Sequence, residues 1–501
     1  MNRIETLAVV LVVAGVLGHV RLAEAQAPPA APPVASATTS TPVTTATVAD
    51  APAQQPVPPP APRARKSYFV PAAEIIGFDT LLNRFNYYVS DKVVYGTSLT
   101  SIRRNATGKW IADTDPFAMN QFYHPYQGSL YFGFARSAGL NYWTALVYTL
   151  SGSALWEIAG ETGRPSYNDQ MTTGIGGTFF GESLFRVASL ILEKGEGNVG
   201  FWRGLAATLI SPATGFNRQV FRHRFDSVFP RRDPALFARL RLGASLSEEV
   251  TQEGVSQTHK RKEVLADFHL SYGFPGKPGY TYTRPFDYFD LQFTAVNSNV
   301  FENVMSRGML VGTDYAAGDT YRGIWGLYGT YEYISPQIFR VSSTALSLGS
   351  TGAWRMSRSM QLQGTLMGGV GYGAAGISHS SSTERDYHYG VTPQGLLALR
   401  LLFGGKANLD MTARGYYVSG VGSTESRGSE RIVRGETALT FRIYGHNTIT
   451  LRYVASRRDA YYPELPDRHQ TIGTFSLLYG RVSSGHNFGA VHWLPKDMQI
   501  R

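Results

Sequence analysis

From about Arg239 to Tyr479 the chain alternates apolar and polar residues in short segments separated by Gly, Asn, Asp, Ser or Pro. Ala266, Phe268, Leu270 and Tyr272 alternate with Asp267, His269 and Ser271, and Phe289, Leu291, Phe293 and Ala295 alternate with Asp290, Gln292 and Thr294. A strand turns successive side chains to opposite faces, so each segment predicts a sheet with one apolar and one polar face. A soluble sandwich would satisfy the same rule. Here, however, Tyr, Phe and Trp crowd the apolar face near strand ends, and Arg and Asp sit at mid-strand on the polar face. That distribution fits a barrel with lipid outside and a polar lumen.

Twelve such segments can be counted, near 238–248, 263–274, 286–297, 304–315, 321–334, 338–350, 359–373, 391–403, 406–419, 431–443, 446–457 and 469–481. An even count is what bacterial single-chain barrels require. The expected fold is therefore an antiparallel transmembrane β-barrel of about twelve strands. A helical domain precedes it and is expected to cap or plug it. His486–Trp493 could add a strand or form a tail.

The N-terminus predicts export. Arg3 precedes a short apolar run, Leu7–Leu17, and Ala23-Glu24-Ala25 supplies a small-x-small cleavage pattern before Gln26. The run is too short to span a bilayer, so 1–25 reads as a cleaved signal peptide and the address as the outer membrane of a Gram-negative cell. Residues 26–65, rich in Pro, Ala and Thr, lack the bulky apolar groups that offset ordering entropy and read as a disordered tether. Residues 66–230 read as the helical domain and 231–501 as the barrel. The chain holds no cysteine, which excludes disulfides and thiolate chemistry. Its net charge of +10 is scattered, with short clusters at Arg63–Lys66 and His259–Lys262. No basic stripe suited to nucleic acid emerges.

In the helical region, Ile75, Ile76, Leu81, Leu82 and Phe85 have helical spacing over 72–88. A loop follows, and Asp113-Thr114-Asp115-Pro116 opens a helix. His124-Pro125 should interrupt that helix, with a fresh one from Pro125 to Ser137. Further helices are expected over 141–159, 168–192 and 199–209. The helix over 141–159 is long and apolar enough to cross a membrane, but a spanning helix would tend to stop export, so a core or lumen helix is preferred.

Polar residues concentrate between Asp113 and Arg186. His124, Glu157, Glu161 and Asp169 are the candidate catalytic groups, because a His with carboxylates can act as general base and orienter. Ser129 and Ser166 are possible nucleophiles. Neither a G-x-S-x-G elbow nor an H-E-x-x-H motif is present, and a structural polar network is the favoured reading. That network comprises Asp113, Asp115, Asn120, Arg136, Ser166, Asn168, Glu182 and Arg186. Glu182 and Arg186, four apart, should pair, and Ser166 should cap a helix with Asp169 in its first turn. Glu157 and Glu161 should share one face if the helix reaches Glu161. Gly177 and Gly181 mark a face for close helix approach. In the barrel, Arg414, Arg434, Arg442 and Arg452 fall on the polar side of their strands. They could select anions, but cross-strand salt bridges are preferred.

The motifs Asp113-Thr114-Asp115-Pro116-Phe117, His124-Pro125-Tyr126-Gln127-Gly128-Ser129, Trp156-Glu157, Pro165-Ser166-Tyr167-Asn168-Asp169 and Gly181-Glu182 resemble a family of uncharacterised Gram-negative envelope proteins, a domain of unknown function. The resemblance covers roughly Trp110–Arg186. It implies an envelope protein and assigns no reaction.

The sequence thus predicts an outer-membrane protein without catalytic activity: a plugged channel or a factor that transports or organises envelope material. A lipid-modifying hydrolase built on His124 is the first alternative, and a structural or partner-binding envelope protein the second. No cofactor and no metal are called for. The expected partners are outer-membrane lipids, the barrel assembly machinery and a periplasmic protein. Part of 125–192 is expected to enter the barrel from the periplasmic side, where Glu157, Glu161 and Asp169 would meet Arg414 or Arg442.

Overall fold

The computed structural model describes residues 65–113, 115–193, 200–221, 225, 233–253, 255–336, 338–377, 386–421, 428–463 and 466–493. The expected signal peptide and nearly all of the tether lie outside them.

Twelve strands close into one antiparallel barrel. They are β1 (Leu236–Glu253), β2 (Val255–Tyr272), β3 (Phe289–Val296), β4 (Asn299–Ala317), β5 (Tyr321–Ile334), β6 (Phe339–Arg355), β7 (Met360–Ile377), β8 (Tyr387–Phe403), β9 (Ala407–Val418), β10 (Ser429–Tyr444), β11 (Asn447–Tyr461) and β12 (Arg468–Val482). Each pairs with its sequence neighbours, and β1 pairs with β12, as at Leu242 opposite Tyr479. Closure gives every strand a neighbour on both sides, so the sheet has no edge strand. At one end, tight turns join β8 to β9 and β10 to β11, with Gly404 and Gly445 at positive φ. A side chain there would be strained. The opposite end, where Ile377 and Tyr387, Val418 and Ser429, and Tyr461 and Arg468 end or begin their strands, is the loop end. The chain enters β1 and leaves β12 at the turn end.

The alternation holds across the wall. On β12, Phe475, Leu477 and Tyr479 are exposed on the outside, whereas Ser476 and Leu478 are buried inside. The lumen is filled by its own charged groups. Arg239 on β1 reaches Asp410 on β9 at 2.6 Å, and Arg400 holds the other oxygen of Asp410 at 2.7 Å. Arg414 on β9 approaches Glu332 on β5 at 3.4 Å. Arg241–Asp267 (2.7 Å) and Arg452–Glu436 (2.9 Å) pair along the wall.

The turn end of the lumen is stopped by the C-terminal segment 483–493, which forms no strand. Phe488 is fully buried among the inward-facing Phe237, Leu402 and Val482. Arg442 donates to the carbonyls of Gly405, Ser484 and Asn487 at 2.6–3.0 Å. Gln361 and Gln363 hold the backbone of Val491 and Gly489. Phe274 and Tyr282, from the connection between β2 and β3, close the same mouth against Tyr328 and Met367.

The helices are α1 (Phe69–Val89), α2 (Leu99–Thr107), α3 (His124–Ser137), α4 (Tyr142–Leu155), α5 (Tyr167–Met171), α6 (Gly177–Glu193), α7 (Phe201–Ile210) and α8 (Pro212–Phe221). α2 stands where a loop was expected. A capping box between Ser98 and Ser101 starts it. The helix does not break at His124-Pro125. A π-helical turn over Met119–Tyr123 leads straight into α3, and His124 keeps helical angles. The wider turn absorbs the donor that proline lacks. Two further π turns, Trp156–Gly160 and Thr172–Gly176, extend α4 and join α5 to α6.

These helices do not enter the lumen. Ser306 Oγ on β4 lies 2.8 Å from Ser183 Oγ and donates to the Phe179 carbonyl, while Tyr331 on β5 donates to the Gln121 carbonyl at 2.6 Å. Ser306 and Tyr331 each precede a lumen-facing residue, Arg307 and Glu332, so they lie on the outside of the wall. Phe179, Phe180 and Val187 pack with Phe268, Leu270, Leu291, Val304 and Tyr331, all outward-facing. The expectation of a luminal cap or plug formed by 125–192 is thereby corrected. The lumen already holds its own ion pairs and the C-terminal segment, and the apolar helix surfaces fit the apolar exterior. Leu291 and Phe289 do point outward as expected, but helices cover them.

Candidate functional site

The polar residues between Asp113 and Arg186 divide into two buried clusters at opposite ends of the helical module. At the turn end, Glu182 on α6 is completely buried between Arg136 of α3 (2.7 Å) and Arg186 (2.8 Å). Arg186 continues to Asp287, 3.2 Å away in the connection between β2 and β3, and donates to the Pro285 carbonyl at 2.6 Å. The expected Glu182–Arg186 pair is present. Asp287 also accepts the amides of Thr283 and Arg284, so the chain of charges ties two helices to a barrel loop.

The second cluster lies at the loop end, against β8. Three π turns border it, a geometry frequent at functional sites. Ser166 accepts the Asp169 amide at 3.2 Å as the expected N-cap of α5. Glu157 receives the Ser166 amide at 2.7 Å, and Asn168 receives that of Asp113 at 2.7 Å. His124 Nδ1 lies 3.2 Å from Thr173 Oγ1. Asn168 and Asn120 donate to the hydroxyls of Tyr389 (2.7 Å) and Tyr387 (3.0 Å), and Tyr387 donates to the Asp115 carbonyl at 2.6 Å. Tyr387 and Tyr389 share the outer side of β8, so this cluster is sealed against the barrel exterior.

Glu157 and Glu161 are not stacked on one helix face. The π turn ends the helix at Gly160, and Glu161 is extended, accepting from Trp156 Nε1 at 3.1 Å. Burial pushes the Glu161 carboxyl up to about 7, with the field of Asp169 adding to it and nearby His124 opposing. Burial likewise raises Asp113 to about 7, aided by Asp169 and Asp115. Glu157, Glu161 and Asp169 do not meet Arg414 or Arg442 as expected. Arg414 faces Glu332, and Arg442 holds the C-terminal segment. Arg434 donates to Ser456 and Arg452 to Glu436, both within the lumen. The expected cross-strand salt bridge is there for Arg452, whereas Arg414 pairs across the lumen with Glu332 of the non-neighbouring β5.

Of the candidate nucleophiles, Ser129 donates to the Tyr126 carbonyl and Ser166 to Asn168, so neither addresses His124. Among the described residues no group of three or more His, Asp or Glu has the geometry of a metal site. The sequence reading missed Asp287, Thr173, Tyr387 and Tyr389. The two tyrosines carried a signal in the alternation Tyr387-His388-Tyr389, which puts both on one face at a strand start. Asp287 sits in an irregular connection and carried none.

A family described as a domain of unknown function, DUF3943, matches residues 109–213, which contain the stretch Trp110–Arg186. No curated protein matches the chain. Among solved structures, the NanC porin is 7% identical, with 46% of this chain and 98% of that chain covered and a TM-score of 0.21. The TodX monoaromatic hydrocarbon channel (deltaS2 mutant) is 9% identical, with 56% and 94% covered and a TM-score of 0.23. The translocator domain of the autotransporter NalP from Neisseria meningitidis is 14% identical, with 48% and 88% covered and a TM-score of 0.22.

Proposed function

We propose that this chain spans the outer membrane of a Gram-negative envelope as a barrel closed to ions, which holds a helical module against its outer wall. It acts as an envelope-organising platform. The exposed belt on β8–β12, with Leu397, Phe441, Leu451 and Leu477 between Tyr417, Tyr444, Tyr453 and Tyr479, is what a lipid-facing wall requires. The tight turns then lie on the periplasmic side, where bacterial barrels place them. The observation that carries the closed reading is the pair of ionic bridges across the lumen, Arg239–Asp410 and Arg414–Glu332. A conducting pore would have to break both and leave charges unpaired in a confined space. Purified protein in planar bilayers should show no steady ion conductance. A stable open-pore current from the wild type would overturn this reading.

A second reading, a lipid-modifying hydrolase, is favoured by one observation: His124 lies against Thr173 beside carboxyls held near neutrality at the edge of the wall. It predicts turnover of phospholipid or lipopolysaccharide acyl esters that His124→Ala abolishes. A wild type without turnover leaves the platform reading alone.

A further inference from the structure

The helical module is apolar on both sides. Its interior holds Asp79, Asn83, Asn120, Glu157 and Arg136 together with Ile75, Tyr131, Phe132 and Phe134, and its outer surface again presents large apolar side chains. On α7, Phe201, Leu205 and Leu209 are exposed at a spacing of four, with Trp202 beside them at 72% exposure. α1 exposes Ile76, Leu81, Phe85 and Tyr88 while burying Asp79 and Asn83. α4 exposes Trp143 and Val147, and α8 exposes Phe216 and Val220. A water-facing helix has the reverse pattern. Scattered exposed apolar residues need no explanation, but a whole layer of them marks a contact surface.

Position decides what covers this layer. At its start α1 adjoins the turn end: Ser67 bonds the Ala138 carbonyl, close to Arg136 and the Asp287 loop. Near its other end Asn83 donates to the Gly160 carbonyl, beside the cluster that meets Tyr389 at the loop end. Its 21 residues rise about 31 Å at 1.5 Å each, close to the ~30 Å hydrocarbon core of a bilayer. Arg65 and Lys66 precede it, and Asp91 and Lys92 follow it. The module therefore runs the height of the wall. It covers outward residues of β1 to β5 and, at the loop end, of β7 and β8, and exposed apolar wall residues resume beyond it, at Val264, at Leu346 and Leu348, and at Leu397.

We propose that the outer faces of α1, α4, α7 and α8 are covered by the acyl chains of the bilayer, so that the helical module lies within the membrane beside the barrel. This rests on the reading of the barrel as membrane-spanning. Its support is the continuity of the helical apolar layer with the exposed wall. The buried charged and amide groups that link the helices find protein partners, Asp79 on Tyr131, Asn83 on the Gly160 carbonyl, Arg136 on Glu182 and Asn168 on Tyr389 of β8, which suits a surrounding that offers no water. Part of the lipid-facing perimeter is then helical, and the conserved hydrogen-bonding rule of the bilayer is met because helices and closed barrels both satisfy their own backbone.

The natural chain has no cysteine, so single-cysteine variants report cleanly. Spin labels at Leu205→Cys and Phe85→Cys are compared with Leu477→Cys on the bare barrel wall and Lys92→Cys beyond α1. Each full-length variant is reconstituted in vesicles of phosphatidylethanolamine and phosphatidylglycerol, and collisions with oxygen and with a nickel chelate are measured. The proposal expects labels at 205 and 85 to favour oxygen over nickel, as at 477, with 92 favouring nickel. Nickel access at 205 and 85 with 477 still in lipid would overturn the membrane placement of the helices alone. Nickel access at 477 as well would overturn the membrane reading of the barrel. Low access to both reagents at 205 and 85, with 477 in lipid, would mean that protein covers the face, a second copy or another partner, and would also overturn the proposal.

Discussion

Glu182 is the most consequential side chain in the helical module, because a single carboxylate answers two buried guanidinium groups. Removing one partner of a buried ion pair leaves an uncompensated charge, which costs about 3–5 kcal/mol. Glu182→Ala should therefore detach α3 from α6, seen as faster amide exchange across both helices in the reconstituted protein. Unchanged exchange would show that the pair is not needed. Glu161 and Asp113 make the opposite kind of contribution. Both carboxyls are raised to about 7 from ordinary values near 4, so the folded state favours their protonated forms. Their contribution is fully present below the ordinary carboxyl range and is lost as pH rises through about 7. Protection factors of amides in 109–113 and 156–171, which correct for the base-catalysed rise of intrinsic exchange, should be lower at pH 8.5 than at pH 5.5, and Glu161→Gln should flatten that fall. Protection factors that do not change with pH in the wild type would contradict it. The Glu182–Arg186 pair and the Ser166 cap were legible in the sequence because both follow from local helical spacing. Arg136 and Asp287 lie 46 and 101 residues from their partners, and no local pattern links them.

At the scale of elements, all twelve strands were legible, though β1, β2, β4 and β6 run five to eight residues beyond their expected ends. A period of two is a strong signal where one face is apolar and the other charged. The connection at Pro125 was misread because a π turn can carry a helix through a proline, and nothing in the residue types distinguishes that from a break. The alternation also fixed which side chains point outward, but not what covers them. Leu291 and Leu477 have the same pattern in sequence, yet Leu291 lies beneath helices and Leu477 is bare. The same substitution should therefore fail in two ways. Leu477→Arg places a charge in lipid, at about 2–4 kcal/mol near the midplane. It should impair insertion of the barrel while the helices remain docked. Leu291→Arg buries an unpaired charge between wall and helices. It should expose the helical module to protease while the barrel keeps its heat-modifiable mobility on a gel. Identical behaviour of the two variants would mean that the helices do not cover Leu291.

For the whole molecule, the sequence pointed to a closed lumen but to the wrong stopper. A wide lumen and an apolar helical domain suggested that one fills the other. The apolar surfaces instead meet on the outside of the wall, and polarity sorts charged groups into the lumen. The C-terminal segment does the stopping, with Phe488 among inward-facing apolar residues and Arg442, Gln361 and Gln363 gripping its backbone. A chain ending at Val482 loses these contacts but keeps all twelve strands, including the closing pairs between β1 and β12. Fully burying one Phe is worth about 1.5–3 kcal/mol, so the barrel should survive the loss. Its turn end would then open, leaving Arg239–Asp410 and Arg414–Glu332 as the remaining barrier. The truncated protein should show brief, noisy current steps in planar bilayers where the full chain shows none. Adding Asp410→Asn to the truncation should lengthen them, because Arg239 and Arg400 then lose their shared carboxylate. If the truncated, folded barrel is as silent as the full chain, the segment contributes stability and not closure, and the ion pairs across the lumen suffice to seal it.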